Sequence, residues 1–208
     1  MIELITRALQ RLVELRRESR CNEIWVSEIA SCLRKSYYER VNPQPVAPEV
    51  ALLAEMSKGV HKAIESAIEL ECSEIGCSCE SEKKYFEQIG DGIYVVARPD
   101  LVCRIHNSTV IIEIKMAEKQ NNRPDWIRQI RYYAALLNAN EAYLLIISRN
   151  GKYELRKVTL GDHDRIWREL KARALLLYKA LRDKKPPRRE RGLCQWCVYK
   201  FLCLFSKH

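Results

Sequence analysis

No stretch of this chain approaches the roughly 20 consecutive apolar residues that a membrane-spanning helix requires, so no segment reads as transmembrane. The opening stretch MIELITRALQRLVELRRESR also has no continuous apolar core. Its apolar positions Ile2, Ile5, Leu9, Leu12 and Leu15 recur at helical spacing among charges, which reads as an amphipathic helix rather than a secretory signal. A cytoplasmic location is the expectation. Internal repeats and low-complexity tracts are missing, which sets aside solenoids and compositionally biased linkers. There is no acidic surplus either: 36 Lys and Arg face 27 Asp and Glu, a net charge of +9, which favours a polyanionic partner. What is present is 208 residues, 47% hydrophobic and 30% charged, enough for one domain with a real core. Cysteine is abundant, with nine residues. In a reducing compartment that usage points first to metal or cluster binding.

The chain is organised around residues 92–117, GIYVVARPDLVCRIHNSTVIIEIKMA. Two runs rich in Val and Ile flank the turn-prone His106-Asn107-Ser108, which predicts a β-hairpin. A two-residue turn at Asn107-Ser108 sets Asp100 opposite Lys115 and Val102 opposite Glu113. With a side-chain period of two, all four share one face, while Leu101, Ile112 and Ile114 take the other. Two carboxylates and an ammonium among aliphatics make a poor core but a good site for a hard cation.

Along the rest of the chain, Ser27 is expected to cap a helix running through Ile29, Cys32 and Leu33 to about Arg40. The proline-rich 42–48 must be a connector. A helix follows with Val60, Ala63, Ile64, Ala67 and Ile68 as its apolar stripe and His61 at the stripe's edge. After the hairpin come a helix from Asp125 to Leu137, a buried strand from Ala142 to Ser148, and an Asn150-Gly151 turn into a strand from Tyr153 to Leu160. Gly161-Asp162 opens a long helix to about Arg182. Gln129 and Tyr133, four apart, share one side of their helix. Lys58, Arg98, Lys119, Arg123, Arg128 and Arg131 are candidates for holding phosphates. The basic run 182–191 and the aromatics Tyr37, Trp196 and Tyr199 are candidates for single-strand contacts.

Cys194, Cys197 and Cys203 form C-x2-C-x5-C, a ligand pattern one thiolate short of a closed tetrahedral site. Cys72, Cys77 and Cys79 form a second group. These are expected as free thiols or in a disulfide, with a second metal site the weaker alternative. Cys103 reads as a small buried hydrophobe, and Cys21 has no assigned role.

Pro99-Asp100 and, twelve residues on, Glu113-Ile114-Lys115 spell PD…ExK. This resembles the RecB-like branch of the PD-(D/E)xK nucleases. His61 in Gly59-Val60-His61, then Asp100, Glu113, Lys115, Gln129 and Tyr133, stand in that family's order. The segment Ser27 to Tyr38 with the three late cysteines is similar to the CRISPR-associated Cas-four nucleases, a likeness that spans Ser27 to Cys203.

The resemblance implies a restriction-endonuclease-like mixed α/β sheet core, residues 59–160, with a helical N-terminal part, 1–58. Residues 161–208 would add a helix, a basic linker and a cysteine-rich iron–sulfur cap, all in one compact unit. It implies that His61, Asp100, Glu113 and the Ile114 carbonyl bind the metal. Lys115 would orient water, and Gln129 and Tyr133 would position the strand. A histidine ligand favours Mn²⁺ over Mg²⁺. Cys32 would complete an iron–sulfur cluster with Cys194, Cys197 and Cys203, 4Fe-4S ahead of 2Fe-2S. A Cys₄ zinc remains the alternative that spacing does not exclude. The implied activity is a metal-dependent DNA exonuclease on single strands, 5′ to 3′, trimming spacer precursors in CRISPR adaptation beside other adaptation proteins. A repair or replication nuclease subunit outside CRISPR, or a non-catalytic DNA-binding subunit, are the alternatives.

Overall fold

The computed structural model describes residues 22–117, 123–190, 194 and 197–205. The expected N-terminal helix, Cys21, Lys119 and Trp196 lie outside the described residues. Strand β1 (Glu23–Trp25) leads into helices α1 (Val26–Ala30) and α2 (Leu33–Val41), then the long α3 (Pro48–Glu74). Strands β2 (Ser78–Ser81), β3 (Tyr85–Gly90), β4 (Ile93–Ala97), β5 (Leu101–Ile105) and β6 (Ser108–Met116) follow. The chain continues through α4 (Pro124–Leu137), β7 (Glu141–Ile147), β8 (Tyr153–Lys157), α5 (His163–Arg182) and the short α6 (Lys200–Phe205). Among the described residues, no helix is long and apolar enough to cross a membrane.

The strands form a five-stranded mixed sheet, β2-β5-β6-β7-β8, and a three-stranded sheet, β1-β4-β3. β6 and β7 run parallel while the other neighbours in the larger sheet are antiparallel. This is the mixed α/β architecture expected from the sequence. The larger sheet separates two apolar layers. Ile111, Ala142, Leu144 and Ile146 face a large core shared with α1, α4 and α5. Leu101, Cys103, Val110 and Ile114 face a smaller one closed by Ile64, Ile68 and Cys72 of α3.

Four local expectations are corrected. The run 92–117 is not one hairpin, because it breaks at Pro99-Asp100: β4 pairs with β3 in one sheet and β5 with β6 in the other. The turn sits one residue earlier, at His106-Asn107, so Val102 faces Ile111 and Leu101 faces Ile112. His106 takes the left-handed conformation, φ 54°, that such a tight turn needs. The slip moves each partner by two positions, so Glu113 and Lys115 keep their face. The Ser27 helix is two helices with a break at Ser31-Cys32, and Cys32 is the N-cap of α2. The first begins after Trp25, whose N–H donates to the Glu28 carboxylate at 2.8 Å in place of a serine cap. On α3, Ala63 and Ala67 are exposed, and the inward stripe is His61, Ile64, Glu65, Ile68 and Cys72.

Candidate functional site

Asp100 stands where the chain crosses between the two sheets, just before β5. It is buried, and its Oδ2 accepts the Ile114 backbone N–H at 2.6 Å. The carboxylate is thereby pinned to the middle of the ExK strand. On its other side, His61 Nδ1 lies 3.7 Å from Asp100 Oδ1. Burial pulls the His61 imidazole down, but the Asp100 carboxylate outweighs it and holds the ring above its ordinary range.

Glu113 and Lys115 project from β6 toward α4. Lys115 Nζ donates to Glu113 Oε1 at 2.6 Å and to Gln129 Oε1 at 3.3 Å. Gln129 Nε2 donates to Glu113 Oε1 at 3.0 Å and to the Tyr133 hydroxyl at 2.9 Å. Tyr133 in turn donates to the Arg98 carbonyl at 3.2 Å. Gln129 and Tyr133 lie one turn apart on α4, which is why one helix can serve both links. Burial pushes the Glu113 carboxyl up to about 7, against the pull of Lys115. Burial also works against the Lys115 ammonium, but Glu113 and Asp100 keep its affinity for the proton above normal. Tyr133 is buried with its hydroxyl turned inward, so it braces Gln129 rather than facing solvent.

The structure therefore brings the expected residues together in two groups, His61 with Asp100 and Glu113 with Lys115, Gln129 and Tyr133. Asp100 joins them through its bond to Ile114. It also adds Glu65, which the sequence reading missed. Glu65 is 1% exposed, and donor atoms of His61, Glu65 and Asp100 lie within 4.8 Å of one another. The available signal was its spacing four residues after His61, which sets both on one helix face. Burial raises the Glu65 carboxyl, and the Asp100 charge adds to it. His61 Nε2, Glu65 Oε1 and Glu113 Oε2 are buried with no hydrogen-bond partner among the described residues.

The basic residues proposed as phosphate holders are largely engaged by the protein. Lys58 pairs with Glu55, Arg98 with Glu82 and Arg123 with Asp125. Arg128 donates to the Ala30 carbonyl and Arg131 to the Thr159 carbonyl. Tyr37 and Tyr199 are buried, and Tyr199 stacks on Tyr38 at 5.8 Å, so neither offers a face for a base.

The tail is laid against the α1–α2 break that carries Cys32. Glu190 accepts the Leu33 N–H at 3.0 Å and pairs with Arg173, which also donates to the Ile29 and Ser31 carbonyls. Arg34 donates to the Pro187 carbonyl at 2.9 Å. Cys32, Cys194, Cys197 and Cys203 are free thiols, with Cys197 and Cys203 packed on the main core. Cys32 is half-buried, and desolvation pushes its thiol up.

No curated protein sequence matches the chain. Among solved structures, the crystal structure of SSO0001 superposes with a TM-score of 0.71 at 18% identity, covering 100% of this chain and 97% of that one. An alkaline exonuclease from Laribacter hongkongensis superposes with a TM-score of 0.51 at 14% identity, covering 88% and 97%. Both are likenesses of fold. The profile of the PD-(D/E)XK nuclease superfamily matches residues 3–204, nearly the whole chain, and the protein belongs to that superfamily.

Proposed function

We propose that this nuclease is a metal-dependent exonuclease acting on single-stranded DNA, chiefly 5′ to 3′. His61, Asp100 and Glu113, with Glu65 and the Ile114 carbonyl, would hold Mn²⁺ or Mg²⁺. The observation that carries this reading is the set of buried, unpartnered donor atoms His61 Nε2, Glu65 Oε1 and Glu113 Oε2. Leaving such groups desolvated and unpaired is costly. Donor atoms of His61, Glu65 and Asp100 lie within 4.8 Å of one another and offer a divalent cation the oxygen and nitrogen ligands it prefers, with Glu113 on the neighbouring strand. When bound, the ion supplies Lewis-acid polarisation of the phosphate and a water of lowered pKa.

The chain's own side chains supply the rest. The Lys115 ammonium, held charged by Glu113 and Asp100, places a donor where negative charge develops on the phosphate and orients the attacking water. Gln129 fixes both Lys115 and Glu113, and Tyr133 fixes Gln129. His61 and Asp100 orient one another across 3.7 Å.

The same proposal gives the tail an iron–sulfur cluster on Cys32, Cys194, Cys197 and Cys203, 4Fe-4S ahead of 2Fe-2S and with a Cys₄ zinc as the alternative. Four free thiols, and a tail pinned beside Cys32 by Glu190 and Arg34, support it. The likeness of Ser27 to Tyr38 and of the C-x2-C-x5-C tail to the Cas-four nucleases supports a place in CRISPR adaptation, beside other adaptation proteins. The parts 1–58, 59–160 and 161–208 would then act as one unit.

Strands labelled at either the 5′ or the 3′ end, incubated with Mn²⁺ with and without EDTA, test the reading. Shortening from the 5′ end that EDTA abolishes is expected. Cleavage that persists in EDTA would contradict it.

A further inference from the structure

Cys72 and Cys79, seven residues apart, meet the distant Cys103 in the smaller apolar layer, away from the α1–α2 break and its tail. Cys79 on β2 pairs in register with Cys103 on β5, their Cα atoms 4.0 Å apart. Cys72, near the end of α3, has its Cα 6.3 Å from that of Cys79. The three sulfurs lie within 4.8 Å of one another, so Cys79 has both of the others within reach. A sulfur forms one disulfide at a time, so the two pairings are alternatives. Leu101, Val110 and Ile114 line this layer, with Ile64 and Ile68 against them. An apolar shell disfavours three thiolates and suits a neutral disulfide. Cys72 and Cys103 are buried and Cys79 is only partly so, which makes Cys79 the thiol a soluble oxidant reaches first.

We propose that Cys79 is the hub of a thiol–disulfide exchange site, bonding to Cys72 or Cys103 in turn, and that its bond to Cys72 clamps α3 to the sheet. Oxidation by a small-molecule disulfide proceeds in two displacements. The Cys79 thiolate attacks the reagent, forming a mixed disulfide and releasing one thiolate. The Cys72 or Cys103 thiolate then attacks Cys79, releasing the second. Two protein thiols are oxidised, the reagent is reduced to two thiols, and the two protein protons end on those products. The third cysteine remains a thiol within reach of Cys79, so the bond can move across it without further oxidant.

The consequence lies along α3. Cys72 follows Glu65 by seven residues and His61 by eleven, close to two and three turns at about 3.6 residues per turn. All three therefore lie on the helix's inward stripe. A Cys72–Cys79 bond ties that stripe to β2, the neighbour of β5, whose start follows Asp100. This clamp rests on the reading that His61 and Glu65 hold the ion, whereas the exchange site does not.

The test uses the full chain with C72S and C103S. Each protein is equilibrated with glutathione disulfide, acid-quenched, alkylated and mapped by non-reducing peptide mass spectrometry. The wild type should yield both Cys72–Cys79 and Cys79–Cys103 peptides, C72S only the latter and C103S only the former, all lost on reduction. Cys79 linked only to Cys77 or glutathione in all three proteins would overturn the exchange site. So would a metal ion bound by the wild type and C194S but lost in C79S. Calorimetric titration with Mn²⁺ then reads the clamp: reduction should weaken binding in C103S and leave C72S unchanged. Equal affinity in oxidised and reduced C103S would overturn the clamp alone. No Mn²⁺ binding in any form would overturn the metal reading and the clamp with it, while the mapped pairing stood.

Discussion

The Ile114 backbone N–H donates to Asp100 Oδ2 at 2.6 Å, and that bond joins the two halves of the PD…ExK signature across the start of β5 and the middle of β6. An asparagine at position 100 keeps an acceptor for the N–H but removes the charge. Asp100→Asn is therefore expected to leave the metal-free melting temperature nearly unchanged while cleavage falls on the order of 100-fold or more. Paired melting and nuclease assays check both halves.

Gln129 is the shared partner of Lys115, Glu113 and Tyr133. Gln129→Ala should cost about 10- to 100-fold in activity or metal affinity, as loss of a ligand-orienting group does. Tyr133→Phe should cost less. Because Tyr133 acts through Gln129, the double variant should be no worse than Gln129→Ala alone, a non-additivity that a double-mutant cycle measures.

Glu113 retains its proton in the folded state up to about 7, against 4.5 for an ordinary glutamate, with burial the main cause. His61 is shifted in the same direction. In that window the folded chain binds more protons than the unfolded one, so metal-free stability falls as pH rises from about 4.5 to 7. The loss should be on the order of a few kcal/mol. Glu113→Gln should flatten the dependence, and Mn²⁺ should restore the wild type near neutral pH. Denaturant melts in EDTA across this range give the slope.

Glu190 is desolvated, yet the Arg173 guanidinium beside it holds its carboxyl below the usual range. Together they fasten the tail to Leu33 and Ser31. Glu190→Ala should destabilise the protein by about 1–3 kcal/mol and lower the iron retained on purification. Melting temperature and iron content per chain are the readouts.

Legibility followed range along the chain. PD…ExK could be read because its chemistry sits on two adjacent strands, and the register slip did no harm because it was even. The α1–α2 break was missed because a helical pattern runs through Ser31-Cys32 and only the tail shows why it stops: Leu33 N–H and the Ser31 carbonyl are taken by Glu190 and Arg173. Ala63 and Ala67 matched the helical period but face outward. The positions that turn inward include a histidine and a glutamate, which a hydrophobic count passes over. Cys103 read as an ordinary buried residue because its partner Cys79 lies 24 positions away and local sequence does not encode strand order.

The central claim is that His61 and the acids beside it hold one divalent ion. Pulsed electron paramagnetic resonance of the Mn²⁺-loaded protein tests it most directly. The expected result is a single bound Mn²⁺ with coupling to one imidazole nitrogen that disappears in His61→Ala. Unchanged nitrogen coupling in that variant, or none in the wild type, would contradict it.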